Sequence, residues 1–249
     1  MTSHDSHPTD YGSIFVRDRL AVTVTISLVV AAAACWIASY YLMPYMMMGM
    51  NSSGMGMSNG VAAIIGSDLS LSAVLLFVVI WVVGMAAMMF PAMAPVVLFY
   101  DRVATKAEDH PRTAKIFGTP LFLVGYLASY ALLGIGAYAA IFFALQLSFM
   151  FPWLAIFAVA APSAVLIVTG IYQFSPLKTR CLSHCISPIG FFAVHSKRGL
   201  FGATNMGFNH GVFCVGCCWA YMLVMLAVAA MSIPVMAILS GVIAVEKVV

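Results

Sequence analysis

Long apolar runs separated by short polar breaks set the pattern of this chain. Uninterrupted apolar stretches fall at residues 20–43, 71–93, 119–145, 153–172, 212–231 and 233–245. Crossing a bilayer as a helix takes roughly 20 such residues, about 17 to 25, so the first five qualify as spans. The sixth is shorter. Pro234 stands at its start, where a helix has no use for the missing N–H. Glu246 and Lys247 close it and are expected to snorkel toward the interface; a re-entrant segment is the alternative. The pattern predicts an all-α fold, a polytopic transmembrane helical bundle of about six spans. Residues 1–19 form a short polar tail with His4 and His7, and residues 20–249 a single transmembrane domain.

Composition excludes a soluble domain. Charged residues make up 8% of the chain and hydrophobic ones 63%, with a mean hydropathy of +1.05, whereas soluble domains carry about 25% charged residues. The first apolar run is too long for a signal-peptide core and has no clear cleavage site, so it is expected to remain as a span. The 11 Lys and Arg residues then sort cleanly. Arg17 and Arg19 precede run one, and Arg102, Lys106, Arg112 and Lys115 follow run two. Lys178, Arg180, Lys197 and Arg198 lie between runs four and five, and Lys247 follows run six. The loops after runs one and three have none. By the positive-inside rule the charged side is cytoplasmic, which puts both termini there and the protein in the cell's inner membrane.

Two short segments concentrate metal-ligand chemistry. In "SPLKTRCLSHCISP", Cys181 and Cys185 are spaced to share one face of a helical turn, with His184 beside them; Pro176 can open that turn and Pro188 can close it. In "NHGVFCVGCCW", His210, Cys214 and either Cys217 or Cys218 fall along one helical stripe. Five of the six cysteines and two of the six histidines thus flank a single 39-residue inside loop, residues 173–211. That loop is too long for a plain connector. The packing alternative makes these thiols small buried hydrophobes, but clustered soft ligands in a membrane protein point to metal. "CVGC" also fits a thiol oxidoreductase, although thiols on a cytoplasmic face stay reduced, which favours ligation. Thiolate and imidazole suit Cu(I), with zinc and iron as competitors. The clusters contain no Asp or Glu, which disfavours a hard cation.

Methionine adds to the picture without deciding it. The first outside loop carries Met43, Met46, Met47, Met48, Met50, Met55 and Met57; these thioethers either bind Cu(I) or fill the interface. Met85, Met88, Met89 and Met93 form a helical stripe, a pattern more often used for packing than for a cofactor. Pro91 and Pro95 are expected to kink or end that helix.

The segments "AAMMFPAMAPVVLFY", "GIYQFSPLKTRCLSHCISP" and "NMGFNHGVFCVGCCWAYM" together resemble a bacterial family of predicted metal-binding integral membrane proteins, long described as a domain of unknown function. The likeness covers roughly residues 71–247, in the same order and with similar spacing. It implies that Cys181, His184, Cys185, His210, Cys214, Cys217 and Cys218 are the ligand candidates, and it leaves His195 and the methionine loop unmatched. Two function classes follow. One is the membrane subunit of a copper-dependent oxidoreductase or monooxygenase acting on a small apolar substrate. The other is copper transport, delivery or sensing; a third class, thiol–quinone oxidoreductase, is disfavoured by the cytoplasmic side to which the charge sorting assigns the thiols. The expected partners are the lipid bilayer, other membrane or redox subunits and a small apolar substrate, with no nucleic acid.

The charge sorting carries a test. In Ser53→Cys and Thr105→Cys variants, an impermeant thiol reagent added outside should label the cysteine at 53 and miss the one at 105. The opposite pattern would reverse the orientation.

Overall fold

The computed structural model describes residues 19–47, 71–106, 112–151, 153, 155–186, 199–227 and 232–248. Among these residues the regular structure is entirely helical, as expected. The helices are α1 (Arg19–Met47), α2 (Leu71–Lys106), α3 (Arg112–Met150), α4 (Ala155–Gln173), α5 (Pro176–Ile186), α6 (Gly199–Ala227) and α7 (Ile233–Val248).

Four of them carry apolar stretches long enough to cross a membrane: Val22–Leu42 in α1, Leu71–Asp101 in α2, Phe117–Leu147 in α3 and Phe201–Leu226 in α6. Ala160–Gln173 and Pro176–Cys185 make a pair bent by 67°, a fifth crossing if the two count as one. The 16 residues of α7 reach only roughly 24 Å at 1.5 Å per residue, less than the ~30 Å hydrocarbon core. Length and composition therefore support four or five of the six expected spans.

Helix boundaries depart from the apolar runs in two informative places. α2 does not stop at its prolines but continues through Pro91 and Pro95 to Lys106. Both prolines lie on the exposed side, so their rings stay out of the core, and membrane helices tolerate such breaks when neighbours satisfy the freed groups. At the far end of α2, Asp101 accepts a hydrogen bond from Thr119 of α3 at 2.9 Å. The second departure matters more for function. α6 begins at Gly199, well before the apolar run at 212, and its Thr204, Gly207 and Phe208 lie against Phe122 and Gly125 of α3.

That packing is backbone to backbone. A Cβ placed on Gly207 would collide with the Phe122 carbonyl oxygen, one on Gly125 with the Thr204 carbonyl oxygen, and one on Gly211 with Ser129 Oγ. Small residues at such positions let membrane helices approach and gain dispersion contacts where no hydrophobic effect drives them together. α6 also touches α4, α5 and α7, while α2 touches α1, α3 and α7. The core between them is built from Phe77, Trp81, Met85, Met88, Met89, Phe122, Tyr126 and Tyr130, all essentially inaccessible.

Gly207→Ala should cost about 1–3 kcal/mol or more, the usual range for overpacking. Gly136→Ala, where a methyl meets nothing within 4 Å, should not destabilise. Thermal unfolding of the two variants in detergent measures the difference.

Candidate metal centre

Cys214 projects from α6 into the space between α2, α3 and α7. Its sulfur lies 3.2 Å from Tyr126 Oη, 3.1 Å from Tyr130 Oη and 2.9 Å from Lys247 Nζ. The two tyrosines, one turn apart on α3, are 3.2 Å from each other. One turn further along α6, the Cys217 and Cys218 thiols donate to the Cys214 carbonyl at 3.1 and 2.7 Å. Cys214, Cys217 and Cys218 are all buried.

A second helix completes the group. α5 follows the bend at Phe174–Ser175 as a capped helix: Ser175 Oγ accepts from the Leu177 N–H at 3.2 Å, and Pro176 occupies the first helical position, where its fixed φ suits the start. Tyr172 at the end of α4 donates to the Gly216 carbonyl at 2.5 Å and ties the elbow to α6. From α5, Cys185 reaches to 3.9 Å from the Cys217 sulfur. The Sγ atoms of Cys185, Cys214 and Cys217 all lie within 4.8 Å of one another.

Two buried lysines hold this arrangement electrostatically. Lys178 of α5 donates to Gln173 Oε1 and, at 2.6 Å, to Glu246 Oε1, and stands over the Tyr221 ring at 5.1 Å. Tyr221 donates to the same carboxylate at 2.6 Å. Its neighbour Lys247 does not snorkel. The short α7 ends inside the bundle, between α2 and α6, and Nζ sits 2.9 Å from Cys214 Sγ and 3.9 Å from Met89 Sδ. A buried ammonium requires a counter-charge, and the cysteine sulfur can supply one as a thiolate.

The structure thus brings together three of the seven expected ligands, Cys185, Cys214 and Cys217. Cys218 adjoins them, with its sulfur 3.7 Å from Tyr130 Oη. His210, one turn before Cys214, is buried between the rings of Phe122 and Tyr126, each 6.2 Å away. Cys181 is half-buried, one turn before Cys185. His184 faces outward: it is exposed, stacks on Phe213 at 4.6 Å and donates from Nδ1 to the Arg180 carbonyl at 2.9 Å. Along the helix, Cys214 lies midway through the Phe201–Leu226 stretch and not at its end.

The stripe methionines Met85, Met88, Met89 and Met93 are core. Met43, Met46 and Met47 end α1, while Met48, Met50, Met55, Met57, His4, His7, His195 and Pro188 lie outside the described residues. Tyr126, Tyr130, Lys178 and Lys247 were not singled out from the sequence as parts of a site. The signal was present for three of them, because a polar group inside or ending an apolar run is costly and is kept for a reason.

A family model described as PpoB2, copper chaperone, matches residues 78–249. The chain belongs to that family. The match takes in α3 to α7 and most of α2, and with them every residue of the cluster; it leaves out α1. It supports a copper-related metal-binding family, though not the older description as a domain of unknown function. No curated protein and no solved structure matches the chain.

The donor set fits the metal that the copper-chaperone family handles. Three sulfurs around one ion at about 2.3 Å stand roughly 4 Å apart, and the Cys185–Cys217 separation is 3.9 Å. Soft thiolates in an apolar, buried setting select a soft cation.

The Lys247 contact generates an asymmetric prediction. Cys214→Ala leaves the ammonium buried without an anionic partner and should cost about 3–5 kcal/mol. Lys247→Met should cost much less, because a lone thiol can stay neutral. The Cys214→Ala/Lys247→Met double variant should recover most of the lost stability, as read from unfolding temperatures in detergent.

Proposed function

We propose that this chain is a multi-pass protein of the cytoplasmic membrane that holds Cu(I) as cargo and passes it on: a membrane-embedded copper chaperone. One observation carries the reading. Three thiols from two helices, Cys185 on α5 and Cys214 and Cys217 on α6, converge to within 4.8 Å with no carboxylate in the group. Membership of the copper-chaperone family supports the same metal.

The physical case for Cu(I) rests on charge and softness. A monovalent soft ion needs few thiolates, and three are in place. Zinc prefers four ligands in structural sites; a zinc site here would have to recruit Cys218 or His210 as well. The orientation follows the charge sorting, with both termini and the Cys181–Cys185 helix on the cytoplasmic side, where thiols stay reduced. In that compartment no oxidant consumes the ligands before copper arrives.

The cluster's own residues each do one thing. Tyr126 and Tyr130 point hydroxyls at the Cys214 sulfur, and Lys247 sets a positive charge beside it. Met89, 3.9 Å from Lys247 Nζ, belongs to the same buried core as the thiols and helps exclude water. The expectation of an oxidoreductase subunit acting on a small apolar substrate gains no support from the family match, whereas copper delivery agrees with it.

Purified protein exposed anaerobically to Cu(I), with Zn(II) in a parallel sample, should retain copper by elemental analysis. Cys214→Ser, its Lys247→Met double variant and Cys217→Ser should each lose most of it, while Cys35→Ser, on α1, should not. Equal copper in wild type and all of these variants would reduce the cysteines to packing, and zinc retained in place of copper would reassign the metal.

A further inference from the structure

A cargo ion has to travel between water and the place where it is held. The three converging thiols are sealed, with Cys185 at 5%, Cys217 at 3% and Cys214 at 0% exposure. An aqueous carrier cannot touch them directly. The neighbouring α5 has one exposed, polar side, with Thr179, Arg180, Ser183 and His184, while Lys178 and Cys185 are buried.

Between these two faces stands Cys181. It is half-exposed, and it lies four residues before Cys185 on one helix, so their Cβ atoms are about 5–6 Å apart on a shared stripe. On its inner side, the Cys181 sulfur rests against α6 at Gly216: a methyl placed there would come within 2.9 Å of it. Gly216 is the residue immediately before Cys217, and its missing side chain is what lets the Cys181 sulfur lie beside the turn that carries the buried thiols. Exposure therefore falls in steps from Cys181 to Cys185 to Cys217 and Cys214.

We propose that Cys181 is not a resident ligand but the exchange thiol through which Cu(I) passes between a soluble carrier and the buried cluster. The inference rests on the copper reading above. The carrier is of the anionic Cu(I)–thiolate class, and the exposed guanidinium of Arg180, next to Cys181, is placed to attract it. Transfer proceeds by ligand exchange at constant oxidation state. Cys181 forms a Cu–S bond as one carrier thiolate leaves, and that thiolate takes up the proton given up by Cys181. Cys185, one turn along, displaces the second carrier thiolate in the same way. Cys217, 3.9 Å from Cys185, then displaces Cys181, which regains a proton. Copper remains Cu(I) throughout, and release is the reverse sequence.

The test separates rate from capacity. Wild-type, Cys181→Ser, Cys181→Ala and Cys35→Ser proteins are loaded anaerobically with Cu(I)–glutathione, then unloaded into a chromophoric Cu(I) chelator. In both position-181 variants the equilibrium copper content should equal that of wild type, while loading and unloading each slow by about tenfold or more, as expected when one stabilising bond is missing from the path. Cys35→Ser should match wild type in both. Wild-type rates in the position-181 variants would overturn the proposal by showing another route. A lower copper content in them would overturn it by making Cys181 a resident ligand. If the wild type itself takes up no Cu(I), the copper reading fails, and this inference with it.

Discussion

Between α3 and α6 the backbones come so close that Gly125, Gly207 and Gly211 have no room for a Cβ. The rest of the site depends on that approach. It brings Tyr126 and Tyr130, one and two turns beyond Phe122, within reach of the Cys214 sulfur and places His210 among aromatic rings. In a lipid environment the association of two helices has to come from contact, since apolar burial yields little there. A single methyl at Gly207 would push the pair apart and draw the tyrosines off the thiol.

The second organising term is charge held inside the bundle. α7 is too short to carry its terminal lysine to the far side, so the Glu246–Lys247 pair ends against the cluster. Each residue finds its own partner: Glu246 binds Lys178 and Tyr221, and Lys247 meets Cys214. Lys178 and Cys185 lie two turns apart on one face of α5, so the ion pair that anchors α7 also seats the helix that delivers the third thiol. One local electrostatic arrangement thus fixes both arms of the thiol cluster. Buried pairs of this kind add less to stability than to geometry.

These contacts produce a centre sealed from water but bordered by a short amphipathic helix. A resident metal would be served by a closed cage alone. A cargo metal also requires a way in and out, and α5, following a 67° bend and bearing thiols at two depths, is the part of the molecule suited to provide one.

The sequence by itself determined the class. Apolar runs of membrane-spanning length, the one-sided placement of Lys and Arg and two Cys/His segments were enough to read an all-helical membrane protein with soft-metal chemistry, because hydropathy and helical spacing are local properties. The start of α5 was legible for the same reason, as Pro176 acts on its own turn. What belonged to the tertiary structure was every statement about which residues meet. Gly207 and Gly211 read as positions for close packing, but only the contact of α3 with α6 shows what they and Gly125 pack against; α6 starts at Gly199, ahead of the apolar run at 212, and carries the thiols at its middle. Lys247 read as an interfacial charge because it closes an apolar run beside Glu246; its partner, Cys214, is 33 residues away. His184 and Cys185 sit side by side in the chain, yet a helix turns adjacent residues about 100° apart. Packing against α6 decided which of them would join the buried thiols and which would stay exposed.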